Sequence, residues 1–113
     1  MSHILTWHDF EKIDIRIGTI MSAEDFPAAK KPAFRLVIDF GETIGQKRSS
    51  AQITVHYKKD ELVNKQVIAV INFPPKSIAG FMSECLVLGI YDEHNAVILL
   101  SPDRPARNGQ KIG

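Results

Sequence analysis

Two adjacent prolines, Pro74 and Pro75, stand between two strongly apolar segments, 66–73 and 84–91. Neither ring nitrogen can donate to a ladder, so no sheet runs through this point. The sheet built by the flanking segments must therefore be left and re-entered, with a stiff excursion in between. The stretch 72–86 is longer than a hairpin turn needs, and it carries an amide (Asn72), an ammonium (Lys76), hydroxyls (Ser77, Ser83) and a carboxylate (Glu84). Polar loops held by a rigid sheet are where binding concentrates.

The rest of the chain supplies that sheet. Thr6 precedes Trp7-His8-Asp9 as a helix N-cap, and one or two helical turns run to about Lys12. Ile13, Ile15 and Ile17 alternate with polar residues, the period of a half-buried strand, and Gly18 within that pattern predicts a bulge or bend. Residues 24–33 read as a loop. Phe34, Leu36, Ile38 and Phe40 share one face of a second strand, 41–45 is a turn, and 47–54 forms a third strand. A short helical turn at 58–64 precedes the near-continuous apolar strands 66–73 and 84–91. A tight turn at 92–95, a strand at 96–100 and a tail containing Pro102, Pro105 and Gly109 follow.

Three strands, a short helix and two more strands is the element order of an OB-fold, a small five-stranded barrel, and the expected class is all-β. A sandwich also suits short, evenly spaced strands, but the lone helical turn before the fourth strand favours the barrel. The whole chain, 1–113, reads as a single domain without linker or repeat, long enough for one core. The final hairpin and tail exceed what such a barrel needs. A dimer interface is the preferred explanation, with cover for an open edge of the same barrel as the alternative.

Net charge is only +1, yet between Lys30 and Lys76 nine basic residues face four acidic ones, a local excess that attracts phosphates. Lys30 and Lys31 lie in a loop and add long-range attraction. Arg48, Ser49 and Ser50 begin the third strand, near the face OB-folds commonly use for ligands, with Arg35 on the neighbouring strand. Arg16 pairs with Asp14 on its own strand, a structural role. Phe81 and Met82 are apolar residues at a loop tip, suited to stacking or peptide binding or to plugging the barrel end. Trp7 anchors the N-terminal helix against its own core or a partner subunit. Glu84 either binds a backbone amide or accepts from a base amino group.

No catalytic residues, metal ligands or cofactor are expected. His3, His8, His56 and His94 lack metal-ligand spacing, and residues 41–47 do not match a phosphate-binding loop. The single cysteine, Cys85, excludes an intrachain disulfide and reads as a small core residue. With neither a signal-peptide pattern nor an apolar run of about 18 residues, membrane insertion is not expected and the cytoplasm is the default location.

Several spaced motifs carry a resemblance. Asp14-Ile15-Arg16-Ile17-Gly18, residues 36–41, Asn72-Phe73-Pro74-Pro75-Lys76 and Gly80-Phe81-Met82-Ser83-Glu84 resemble the tRNA-binding domain family, over about residues 10–112. This domain occurs appended to some methionyl- and phenylalanyl-tRNA synthetases and as free-standing tRNA-binding proteins. Phe10-Glu11-Lys12-Ile13-Asp14, residues 49–54 and Ile78-Ala79-Gly80-Phe81 are similar to its small dimeric members, which are also described as export-related chaperones. The resemblance implies an OB-fold homodimer whose N-terminal helix and C-terminal extension build the interface. It implies tRNA as partner, bound by shape and backbone, with Asn72, Lys76 and Ser83 as contacts. The alternative it implies is a chaperone binding unfolded or precursor polypeptides in the same groove, through Phe73, Phe81 and Met82. Synthetase-type members read Ser-x-Gly-Met where this chain has Ser83-Glu84-Cys85-Leu86.

Overall fold

The computed structural model describes residues 3–113, so the first two residues of the expected domain lie outside it. Helix α1 (Trp7–Glu11) starts where the Thr6 hydroxyl accepts the Asp9 N–H at 3.1 Å. Strand β1 (Ile15–Asp25) follows, then β2 (Phe34–Asp39), β3 (Gln46–Ala51), a single turn α2 (Lys59–Leu62), and β4 (Gln66–Val70). Five short strands complete the chain: β5 (Lys76–Ile78), β6 (Phe81–Ser83), β7 (Leu86–Val87), β8 (Gly89–Tyr91) and β9 (Val97–Leu99).

The main sheet is antiparallel throughout, in the order β3-β2-β1-β4-β7. It curls until β3 meets the segment before β7, which makes a nearly closed five-stranded barrel of the expected OB type. The inward faces of β1, β2 and β4 supply Ile20, Leu36, Ile38 and Val67, and Phe40 and Leu62 fill the interior with them. Leu62 is the side chain through which the α2 turn enters the core.

β1 serves two partners. It pairs with β4 through Ile15–Thr19 and with β2 through Thr19–Asp25. The expected bulge at Gly18 is corrected: Gly18 stays in register opposite Val67, and the irregularity falls between Ile20 and Ser22. Gly18 is required for packing instead. A Cβ there would sit 2.6 Å from Ile38 Cγ2 and 2.8 Å from the Phe40 ring. β1 also starts later than expected and continues into the segment read as loop.

The strand expected over 66–73 ends at Val70; the Ile71 N–H still donates to Asp14 O at 2.9 Å, one step on in the β1–β4 register, and no further bond of that ladder follows before Pro74 and Pro75. The apolar run 84–91 is likewise not one strand. It breaks at Leu88, so that β7 stays in the main sheet while β8 pairs with β9 in a separate hairpin. Asp92 caps the turn of that hairpin, accepting from the N–H groups of His94 and Ala96 at 2.8 and 2.9 Å. His56 Nε2 lies 2.7 Å from the other Asp92 oxygen, and the Tyr57 hydroxyl accepts the Leu99 N–H.

The tail takes the role weighed as the alternative and covers an edge of its own barrel. Gly109 donates to Ile17 O, Ile17 to Gln110 O and Ile112 to Ile15 O, which occupies the side of β1 left free by β2. Gln66 pins the approach by a double hydrogen bond to the backbone of Ala106. The outward face of the β8–β9 hairpin keeps Ile90 opposite Ile98, with Ile90 53% exposed. No helix among the described residues is long and apolar enough to cross a membrane.

Candidate nucleic-acid interface

The excursion after Pro74 and Pro75 is itself a hairpin, a finer result than the loop read from sequence. Lys76, Ser77 and Ile78 of β5 pair with Ser83, Met82 and Phe81 of β6. The connection is Ala79-Gly80, with φ of 47° and 82°. A two-residue turn with both φ values positive matches the twist of the flanking strands.

This hairpin lies over β3 and finishes the barrel's closure with side chains. Glu84 N–H donates to Arg48 O at 2.7 Å, and Arg48 N–H donates back to Glu84 Oε1 at 2.9 Å. Ser50 N–H donates to Ser83 Oγ at 3.1 Å, and Ser49 Oγ donates to Cys85 O at 3.0 Å. The outer edge of β3 thus finds its acceptors in Ser83 and Glu84. Of the two roles weighed for Glu84, the structure shows the bond to a backbone amide.

Three hollows surround the hairpin. The first, about 410 Å³, has Lys30, Lys31, Ser50 and Gln52 in its wall. The second, about 290 Å³, holds Arg35 and Arg48 with Phe26 and Phe81. The third, about 400 Å³, is lined by Ser50, Phe73, Pro74, Lys76, Ser83 and Leu86, with the buried Cys85 at its floor. Burial pushes the Cys85 thiol up to about 11, against smaller opposing effects of the Ser49 hydroxyl and the Lys47 charge. It is an inert core thiol.

Five cations, Lys30, Lys31, Arg35, Arg48 and Lys76, therefore flank one hairpin although they come from three separate parts of the chain. Two are partly neutralised: Arg35 Nη2 lies 3.3 Å from Glu24, and Arg48 Nε 3.4 Å from Glu84. No ion pair involves Lys30, Lys31 or Lys76 among the described residues.

Two expected contacts are engaged within the fold. Asn72 uses both ends of its amide internally, accepting the Asp14 N–H at 3.0 Å and donating to Lys12 O at 2.7 Å, so it ties α1 to the barrel. Ser49 faces inward and is 1% exposed. Its parity with Ala51 and Ile53, both buried, was the available signal. Arg16 pairs with Asp14 at 2.6 Å, as expected of a structural residue.

The apolar set is divided. Phe73 is 55% exposed on the third hollow, Phe81 packs in the second, and Met82 belongs to the opposite face of the hairpin with Ser77. Trp7 is 85% exposed, which removes its own core as the anchor. Among the described residues, no group of three or more metal-ligating side chains occurs. Phe26, which no motif singled out, is the residue sequence reasoning missed. An aromatic side chain before Pro27 and close to Lys30-Lys31 was the only signal.

A family model described as "Putative tRNA binding domain" matches residues 15–111. Among curated proteins, the methionine–tRNA ligase of Methanocaldococcus jannaschii is 35% identical over 102 residues, 90% of this chain and 15% of that protein. The Pyrococcus horikoshii enzyme is 36% identical over 106 residues, 94% of the chain and 14% of the enzyme. The chain thus spans about a seventh of the length of these curated relatives. Among solved structures, the chaperone CsaA of Bacillus anthracis superposes with a TM-score of 0.92 at 50% identity, covering 98% of this chain and 100% of that one. The CsaA chaperone protein of Picrophilus torridus gives 0.91 at 56% identity, covering 97% and 100%.

Proposed function

The chain belongs to the tRNA-binding domain family, and on that premise we propose that it binds tRNA in the cytoplasm as a homodimer, by shape and backbone contacts, and catalyses no reaction. The observation that carries this reading is the cluster of five cations around the β5–β6 hairpin. Lysine and arginine at the rims of open hollows meet phosphates, while the Ser50 and Ser83 hydroxyls lie where a sugar or base edge would approach.

Dimerisation is supported by the aliphatic outer face of the β8–β9 hairpin and by Ile4, Leu5 and Trp7, all exposed in the single chain. Two copies of a modest cationic patch raise affinity through avidity without strong contacts in either. The test is a filter-binding series with total tRNA across salt, beside the oligomeric state by sedimentation. If all five cations engage, log affinity falls against log salt by about 3.5 to 4.5 per protomer. A flat response refutes tRNA binding, and a strictly monomeric protein refutes the dimer.

A second reading has its own observation. The third hollow is largely apolar, with Phe73 and Leu86 (49% exposed) at its rim, and both CsaA structures carry the description chaperone. Binding of unfolded or precursor polypeptides there would tolerate salt and weaken on Phe73→Ala more than on Lys76→Ala. An unfolded-polypeptide competitor in the same assay separates the two readings.

A further inference from the structure

Phe26 ties the two arginines of the interface into one unit. It is buried in the turn after β1, and its ring meets that of Phe81 edge to face, with centroids 5.5 Å apart and planes at 64°. Each ring carries a guanidinium: Arg35 Cζ lies 5.6 Å from the Phe26 centroid and Arg48 Cζ 5.4 Å from that of Phe81. Each guanidinium is also held at Nε. Arg35 Nε donates to Asp25 O at 3.1 Å, and Arg48 Nε to Glu84 Oε1 at 3.4 Å.

A guanidinium with a ring against it and an acceptor on Nε has little freedom left to lose on binding. Among the described residues, Nη1 of Arg35 and both Nη atoms of Arg48 have no protein acceptor. A planar fork of this kind fits two oxygens of one phosphate, which a point charge does not. The hollow that holds both arginines is floored by the two rings, and its wall includes Pro27 and the small residues Ala28, Ala79 and Gly80.

We propose that Phe26 and Phe81 are positioning residues that hold Arg35 and Arg48 as a paired grip for successive phosphates of an RNA backbone. This inference rests on the tRNA-binding reading and sharpens it. Its content is orientation, not charge: a lysine at either position keeps the charge and loses the fork.

The test is a double-mutant cycle read by tRNA affinity at fixed salt. Arg48→Lys in the otherwise unchanged protein is expected to weaken binding about tenfold, the difference between a bidentate and a single charge-assisted bond. In a Phe81→Leu background the same exchange is expected to cost under about twofold, because the fork is no longer oriented. Phe81→Tyr, which keeps the ring, is expected to bind like the parent. Should Phe81→Leu fail to fold by circular dichroism, the parallel cycle of Phe26→Leu with Arg35→Lys serves in its place. An equal cost of Arg48→Lys with and without the ring overturns the positioning role and leaves tRNA binding intact. Absence of binding by the parent protein at every salt concentration overturns both.

Discussion

Glu84 stands beside Arg48 on a surface proposed to receive phosphates, and its exchange for glutamine has two opposite consequences. Glutamine keeps an oxygen that can accept the Arg48 N–H, now bonded at 2.9 Å, but removes the charge that assists this bond. A charge-assisted bond contributes about 1 kcal/mol more than a neutral one. The half-exposed ion pair to Arg48 Nε at 3.4 Å adds under about 1 kcal/mol. Glu84→Gln is therefore expected to lose about 1 to 1.5 kcal/mol of stability, roughly 4 to 8 °C in Tm. RNA affinity should move the other way. Arg48 already counts among the five cations of the parent slope, so the salt slope is expected to stay near its parent value while affinity rises at every salt concentration. Removing a carboxylate about 7 Å from a phosphate in water relieves about 0.6 kcal/mol, roughly threefold in affinity. The assay is a salt series of tRNA binding beside a thermal melt of the same preparation. Weaker binding by Glu84→Gln would refute the reasoning and place the Glu84 carboxylate on a base amino group instead.

Other perturbations separate structural from binding roles. Gly18→Ala puts a methyl group against Ile38 and Phe40, both essentially unexposed, and the overpacking is expected to cost about 1 to 3 kcal/mol in a denaturant titration while leaving the tRNA salt slope unchanged. Asn72→Ala removes both ties between α1 and the barrel; amide exchange in residues 10–14 should accelerate, again with no change in the salt slope. The bond to His56 and the N–H groups of Ala96 and His94 hold the Asp92 carboxyl below the usual carboxylate range. Its contribution to stability is therefore full above about pH 4 and is lost as pH falls through the lower folded value. The stability gap between the parent and Asp92→Asn, measured by urea titration, should be constant above about pH 4 and close below it.

Alternation made β1 and β2 legible, because each presents one wet and one dry face, β4 was read from its apolar run, and the spacing of Thr6 and Asp9 gave the helix cap. The β5–β6 hairpin was not legible. Three-residue strands are too short to show a period, and Ala79 at φ 47° lacks the asparagine or glycine that marks such turns. The run 84–91 hid a change of sheet because both halves are apolar. In the interface, the cations were readable as types but not as a cluster, since residues near 30, 48 and 76 meet only through the closed barrel. The internal bonds of Asn72 were not legible because its partners, Lys12 and Asp14, lie some sixty positions away.

The strap along the first strand also bears on how the molecule is made. During synthesis the stretch Ile15–Ile17 emerges early, whereas its partners at Gly109, Gln110 and Ile112 leave the ribosome more than ninety residues afterwards. At about 5 to 20 residues per second this takes several seconds, in which the nascent polypeptide displays an unpaired, isoleucine-rich border. Association of neighbouring unfinished chains along that border is the hazard this topology carries, and any delay late in translation prolongs it.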